Sequence, residues 1–252
     1  MKAVVWTAYG SPEVLKVQEI PKPEPKENEV LVRIHAASVS LADCEMRAMK
    51  LPVAFIRVMM RVFIGLFRPK RIKILGQEVA GVVEAVGSSV SKFNPGDRVF
   101  ASLGLQFGGY AEYVCVLESS AERILEQIPE GMSFQEAATL PVFGVDAVHY
   151  VSQARVKPGQ KVLINGAGGS IGTFGVQIAK AQSALVTAVD LAEKHAMLRS
   201  IGADEVVDFT QEDFTQNGVK YDVIFDVVGK CPLKKALASL KQNGCYVTAN
   251  PS

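Results

Sequence analysis

Cysteine and histidine are scarce in this chain, 4 and 3 in 252 residues. The four cysteines, Cys44, Cys115, Cys231 and Cys245, stand far apart and form no C-x-x-C pair. That spacing argues against a disulfide framework and a structural zinc cluster, and points to a reducing cytosol and a cytoplasmic protein. The histidines, His35, His149 and His195, are scattered, and each reads as a structural or surface residue rather than a ligand. Excess charge is also lacking. With 27 Lys and Arg against 26 Asp and Glu, the net charge of +1 gives no electrostatic ground for a nucleic-acid partner. No run is long and apolar enough to span a bilayer. The nearest, Val53 to Phe67, is too short and is broken by Arg57 and Arg61. The opening Met1-Lys-Ala-Val-Val-Trp6 reads as a strand, without the apolar core and cleavage site of a signal peptide. A soluble globular protein is expected, consistent with 48% hydrophobic and 21% charged residues.

What is present is organised around Lys161-Val-Leu-Ile-Asn-Gly-Ala-Gly-Gly-Ser-Ile-Gly172. A short apolar run enters a glycine-rich turn and leaves it as a helix-period pattern, with Ile171, Val176, Ile178 and Ala179 forming one stripe. Strand, glycine turn and helix together make a seat for a pyrophosphate. The first N–H groups of a helix lack intrahelical partners, and its dipole favours negative charge. The glycines run Gly166-x-x-Gly169-x-x-Gly172, with Gly168 also present, and Ser170 and Ile171 open the helix. A second apolar run, Ala184 to Val189, ends in Asp190, where a carboxylate would grip a ribose hydroxyl. Dinucleotide binding is the reading these residues support.

Residues 1 to 125 read as mostly β, with short runs at Val14 to Val17, Val30 to Ala37, Gln77 to Val86, Arg98 to Phe100 and Tyr110 to Val116, a spacing that predicts a compact barrel-like domain. Residues 47 to 74 interrupt it. There Ala54 to Phe67 draws as a helix with Phe55, Val58, Met59, Val62, Phe63 and Leu66 on one face, in basic surroundings. A lid packing that face over the rest of the domain is expected ahead of a membrane-surface helix. From residue 126 the pattern changes. Ser133-Phe-Gln-Glu136 is a capping box, and a long helix runs through Val145 to Val151. Beyond Asp190, helices at Ala192 to Ile201 and Leu233 to Leu240 alternate with strands at Glu205 to Phe209, Tyr221 to Val228 and Gly244 to Asn250. The pattern predicts a doubly wound parallel sheet of five strands over residues 126–252.

Gly76-Gln-Glu-Val-Ala-Gly81, Pro95-Gly-Asp-Arg-Val99, Ala111-Glu-Tyr113, Leu140-Pro141, the glycine turn, Ser200-Ile-Gly-Ala-Asp204 and Tyr221 to Gly229 together resemble the medium-chain dehydrogenase/reductase superfamily, in its zinc-independent quinone oxidoreductase-like branch. The resemblance covers essentially the whole chain. It implies a GroES-like first domain, a Rossmann second domain, and a cleft between them for nicotinamide and substrate. It also implies a C-terminus cut short, because relatives continue past Ser252 with a sixth strand. Zinc-dependent members place a cysteine and a histidine at positions that resemble Ser40 and Gln77, neither a usual zinc ligand, so no metal is expected.

Without such a Lewis acid, the expected substrate accepts hydride unaided: a quinone or an α,β-unsaturated carbonyl. The resemblance therefore implies hydride transfer from NAD(P)H to a small molecule, with homodimers common among relatives. Val228 and Gly229 belong to the expected cofactor site, and Asp43, with Ser40 beside it, is a candidate for orienting substrate or a helix-capping carboxylate. Glu45 stands where quinone reductases often carry tyrosine, and Asp146 where threonine commonly follows the Leu-Pro pair. These departures keep open an NAD(P)-dependent alcohol dehydrogenase using another polarising group, and a non-catalytic dinucleotide-binding redox sensor or interaction protein. Asp190 would accept bonds from a ribose diol and favour NAD(H), whereas Lys194 resembles the position from which relatives reach a 2′-phosphate in NADP(H). The chemistry of Asp190 leans to NAD(H); the branch leans to NADPH.

Overall fold

The computed structural model describes residues 1–51, 53–120 and 123–249, and the chain divides into two compact units, Met1–Val142 and Phe143–Ser252. Among the described residues no helix is long and apolar enough to cross a membrane.

The first unit contains, in chain order, β1 (Lys2–Trp6), β2 (Leu15–Glu19), β3 (Glu29–Ala37), α1 (Leu41–Ala48), α2 (Ala54–Ile64), β4 (Glu78–Val86), β5 (Arg98–Ser102), β6 (Tyr113–Leu117), β7 (Leu125–Gln127) and α3 (Phe134–Ala137). Strands β6-β3-β4-β5-β7 form a five-stranded antiparallel sheet, and β1 and β2 pair separately. Its core is built mainly from β-branched residues: Val30 and Val32 from β3, Val79 and Val83 from β4, Val99 from β5, and Val114 and Val116 from β6. Each such side chain contributes about 1.5–3 kcal/mol on burial. The capping box Ser133–Glu136 is present at the start of α3.

This unit runs past residue 125. Strand β7 pairs with β5 through Leu125 and Gln127, and Ala137 of α3 is buried with Ala80 and Ile128. The composition change at that point marks the start of helix-forming sequence, whereas the physical boundary follows the contacts to Val142.

The helix expected over 54–67 forms only over Ala54–Ile64, stopping at Gly65, and turns the opposite way. Its inner side is Ile64 and Met60, packed with Trp6, Leu75 and Phe107. The face expected to be covered is exposed: Phe55 is 72% and Val62 71% accessible. Periodicity finds an apolar stripe but cannot rank two of them. Here Ile64 wins because Tyr9 donates a hydrogen bond to the carbonyl of the adjacent Gly65 and receives Arg61 over its ring, at 5.0 Å from the centroid.

The second unit contains α4 (Val145–Ala154), β8 (Lys161–Asn165), α5 (Ser170–Ala181), β9 (Leu185–Val189), α6 (His195–Ser200), β10 (Glu205–Val207), β11 (Tyr221–Asp226), α7 (Leu233–Ala238) and β12 (Leu240–Thr248). All five strands are parallel, in the order β10-β9-β8-β11-β12. Both faces are apolar because helices cover both. Along β8, Val162 and Ile164 face the cluster that includes Val151, Val176 and Ala179, while Leu163 faces Val189, Tyr221 and Ile224. The sheet grows from β8 in two directions, and the crevice at the carboxyl ends of β8 and β11 is where such folds take ligands.

Several boundaries differ from those read in the sequence. The stretch before α4 is one π turn, Leu140–Gly144, because Pro141 has no N–H for an α-helical ladder. Strand β11 stops at Asp226, whose carboxylate takes the next amides into a turn. Helix α7 ends before Leu240, which already pairs with Tyr221, and a register shift separates that pair from Val223–Cys245. Strand β10 ends at Val207, leaving Phe209 outside it. Asn250, the expected end of the last strand, lies outside the described residues.

Candidate functional site

The glycine turn leaves the carboxyl end of β8 and delivers the chain to the N-terminus of α5. Gly166 has φ +80°, and its N–H, like that of Ala167, donates to the carbonyl of Val189, at 3.0 and 3.1 Å. A side chain at Gly172 would place Cβ 2.2 Å from the Gly166 carbonyl oxygen, so the helix can close on the turn only with glycine there. Gly169 caps α5 and Ser170 begins it, presenting the unpartnered first-turn amides at the mouth of the crevice.

Asp190 and Lys194 meet over this turn. The Asp190 carboxylate is buried and accepts from Gly168 N–H at 2.8 Å and from Leu191 N–H at 2.9 Å. Lys194 Nζ lies 3.1 Å from the same carboxylate, with its stem where a Cβ on Gly168 would be. The two residues that argue for different cofactors are therefore one ion pair. Asp190 is engaged in holding the turn, and Lys194 is the half-exposed partner facing outward.

A third carboxylate fixes the other wall. Asp226, fully buried, accepts from Val228 N–H at 3.2 Å, Gly229 N–H at 2.9 Å, Asn165 Nδ2 at 2.9 Å and the Tyr246 hydroxyl at 3.0 Å. Burial and that carboxylate push the Tyr246 hydroxyl up to about 12. The network locks the Val227–Gly229 turn beside the glycine turn. Between them opens a cavity of about 660 Å³, bounded also by Phe209, Phe214 and Cys231. Burial raises the Cys231 thiol above its ordinary value. At the rim, the hydroxyl and N–H of Thr215 hold the Asp213 carboxyl down at about 2. A cradle that Cβ atoms would fill, amides at a helix start and cations at the rim, Lys194 and Lys230 among them, fit a dinucleotide.

In the first unit, Ser40 caps α1, and its hydroxyl donates to Asp43 at 2.7 Å while accepting from Asp43 N–H. Asp43 is buried and also accepts from Ser40 N–H at 3.0 Å and Gly76 N–H at 3.2 Å. These bonds make the pair a capping box that anchors the Gly76 turn, the helix-cap alternative for Asp43. The hydroxyl of Tyr110 is buried near Asp43, and burial, then the Asp43 charge, raises its pKa. Gln77 Nε2 donates to the Gly104 carbonyl at 3.2 Å. His35 stacks on Phe134, His149 meets the edge of Tyr150, and His195 Nε2 lies 3.2 Å from the Asp190 carbonyl oxygen. No cluster of three metal-ligating side chains occurs among the described residues. Asp146 sits in the first turn of α4, and burial raises its pKa.

Two family models match: the alcohol dehydrogenase GroES-like domain over residues 26–130, and the zinc-binding dehydrogenase over residues 170–249. The quinone oxidoreductase of Pseudomonas aeruginosa is 32% identical over 98% of this chain and 72% of its own length. The solved quinone oxidoreductase of Coxiella burnetii superposes with a TM-score of 0.82 at 32% identity, covering 98% of this chain and 74% of that one.

The chain belongs to the medium-chain dehydrogenase/reductase superfamily, in its quinone oxidoreductase-like branch.

Another relative in this superfamily is the chloroplastic NADPH-dependent alkenal/one oxidoreductase of Arabidopsis thaliana, 34% identical over 98% of this chain. The chain spans only 62% of that relative's length. Within the superfamily fold, Gly166 and Gly169 of the glycine turn, Asp190, Lys194 and Val228 line one crevice, and Gly229 follows Val228 in the turn held by Asp226. Ser40 and Asp43 lie in the other unit. Asn165, Asp226 and Tyr246, which hold one wall of the crevice, are not among the site residues expected from the sequence. The signal was there for one of them: Asp226 ends an apolar strand, as Asp190 follows one.

Proposed function

We propose that the protein is an NADPH-dependent reductase of quinones or α,β-unsaturated carbonyls. The observation that carries the reading is the Asp190–Lys194 pair across the glycine turn. Asp190 gives its carboxylate to Gly168, Leu191 and Lys194, which leaves little of it for a ribose diol. Lys194, partly exposed and paired only with Asp190, can turn from that carboxylate to a 2′-phosphate, and this favours NADPH over the NAD(H) that Asp190 alone suggested. The name of the Arabidopsis relative supports the same cofactor.

The turn amides and the start of α5 would hold the pyrophosphate, and the apolar walls at Val227, Val228 and Phe214 would exclude water. The Asp226 network would keep the Val227–Gly229 turn in one position. When bound, a reduced nicotinamide supplies hydride to an electron-poor carbon of the substrate, and a proton from water completes the reduction. Ser40 and Gln77 offer a hydroxyl and an amide, both already hydrogen-bonded, where a zinc site would want thiolate or imidazole, which supports chemistry without zinc. The cysteine spacing supports a cytosolic setting.

The test is steady-state loss of nicotinamide absorbance with NADPH and a panel of quinones and enones. Turnover of either class is the expected result. Binding of NADPH without turnover of any acceptor would leave a dinucleotide-binding protein, and oxidation of simple alcohols with NADP⁺ would favour the dehydrogenase alternative.

A further inference from the structure

Between Glu45 and Glu78 the chain carries eight Lys and Arg residues and no carboxylate, although the whole is balanced to a net charge of +1. Helix α2 runs through this segment. At 100° per residue, Phe55, Val58, Met59, Val62 and Phe63 share one arc, all exposed, while Met60 and Ile64 point inward. Leu66 and Phe67, the latter 87% accessible, continue the apolar surface past the helix end. Arg61 lies beyond one border of the arc, Arg57 falls on the far side of the helix next to Ile64, and Arg68 follows Phe67 at the end of the apolar surface. Arg71 stands at the other border, with its guanidinium 4.1 Å from the Phe63 ring centroid. A contiguous apolar face on a soluble protein marks an interaction surface.

We propose that α2 docks on an anionic lipid bilayer. A helix lying in the interface buries its apolar face about 5–10 Å deep and holds its cations at the headgroups. Arg and Lys stems reach outward along the apolar face as they do so. A charged bilayer offers negative groups on all sides of the inserted face, which matches cations on both borders. A single acidic partner would have to place carboxylates at each of them. Every flanking cation adds about fivefold to partitioning onto an anionic surface.

The experiment is co-sedimentation of the full chain with vesicles of phosphatidylcholine alone, or mixed equally with phosphatidylglycerol. Binding at least about tenfold stronger to the mixed vesicles, weakening as salt rises, is expected. V58Q/V62Q and R68E/R71E, all at exposed positions, should each lose that binding while melting like the parent chain. Equal binding to both vesicles, no binding, or binding untouched by V58Q/V62Q overturns the proposal. Concentration-dependent dimers that V58Q/V62Q dissolves, without vesicle binding, would overturn it by giving the face to a second copy.

Discussion

At the scale of residues, Asp190 and Lys194 perform separable tasks. Asp190 holds the glycine turn through Gly168 N–H, and Lys194 presents the outward charge. K194Q should therefore weaken NADPH binding by about tenfold or more, the worth of a charge-assisted hydrogen bond, with a much smaller effect on NADH. D190A should weaken both cofactors, because the turn loosens. A loss confined to NADH would instead make Asp190 a ribose ligand; calorimetric titration of each variant separates the two. Asp226 is the other decisive residue. D226A strands two backbone amides, the Asn165 amide and the Tyr246 hydroxyl in a buried position. It should cost about 2–4 kcal/mol in denaturant unfolding. Asp190 was legible beforehand because it follows the glycine motif at a known distance. Asp226 is visible as a carboxylate ending an apolar strand, but its role was not legible, because its partners come from β8, β12 and the turn after β11 and meet only in the fold.

At the scale of elements, local signals settled most identities and fewer boundaries. The capping box Ser133–Glu136 and the strand–turn–helix at Lys161–Ala181 are local, so they could be read directly. Ser40–Asp43 is an equally local box at α1. S40A should cost about 1 kcal/mol, a fall of about 2–4 °C in Tm. What local pattern could not supply was the side on which α2 docks, since both of its apolar sides satisfy the same period and the fit of Ile64 beside Trp6, with Tyr9 bonded to Gly65, decides. The loop after β10 carries one source of pH dependence. Thr215 holds the Asp213 carboxyl at about 2, below an unfolded value of about 3.9. The stabilisation is therefore present above the unfolded value and lost as pH falls toward the folded one. D213N should lower Tm at neutral pH, and the gap from the parent should close near pH 2.

At the scale of the molecule, the order of a β-rich unit followed by an alternating β/α unit was legible because the hydrophobic period changes from one to the other. The point of division was not, because β7 and α3 belong by contact to the unit they follow. The crevice at the carboxyl ends of β8 and β11 follows from topology alone, and the proposed preference for NADPH rests on one ion pair. Calorimetric titration of the full chain with NADPH and with NADH tests that central claim most directly. Saturable binding of both, with NADPH at least about tenfold tighter, is the expected result. Tighter binding of NADH, or no binding of either by folded protein, would contradict the account.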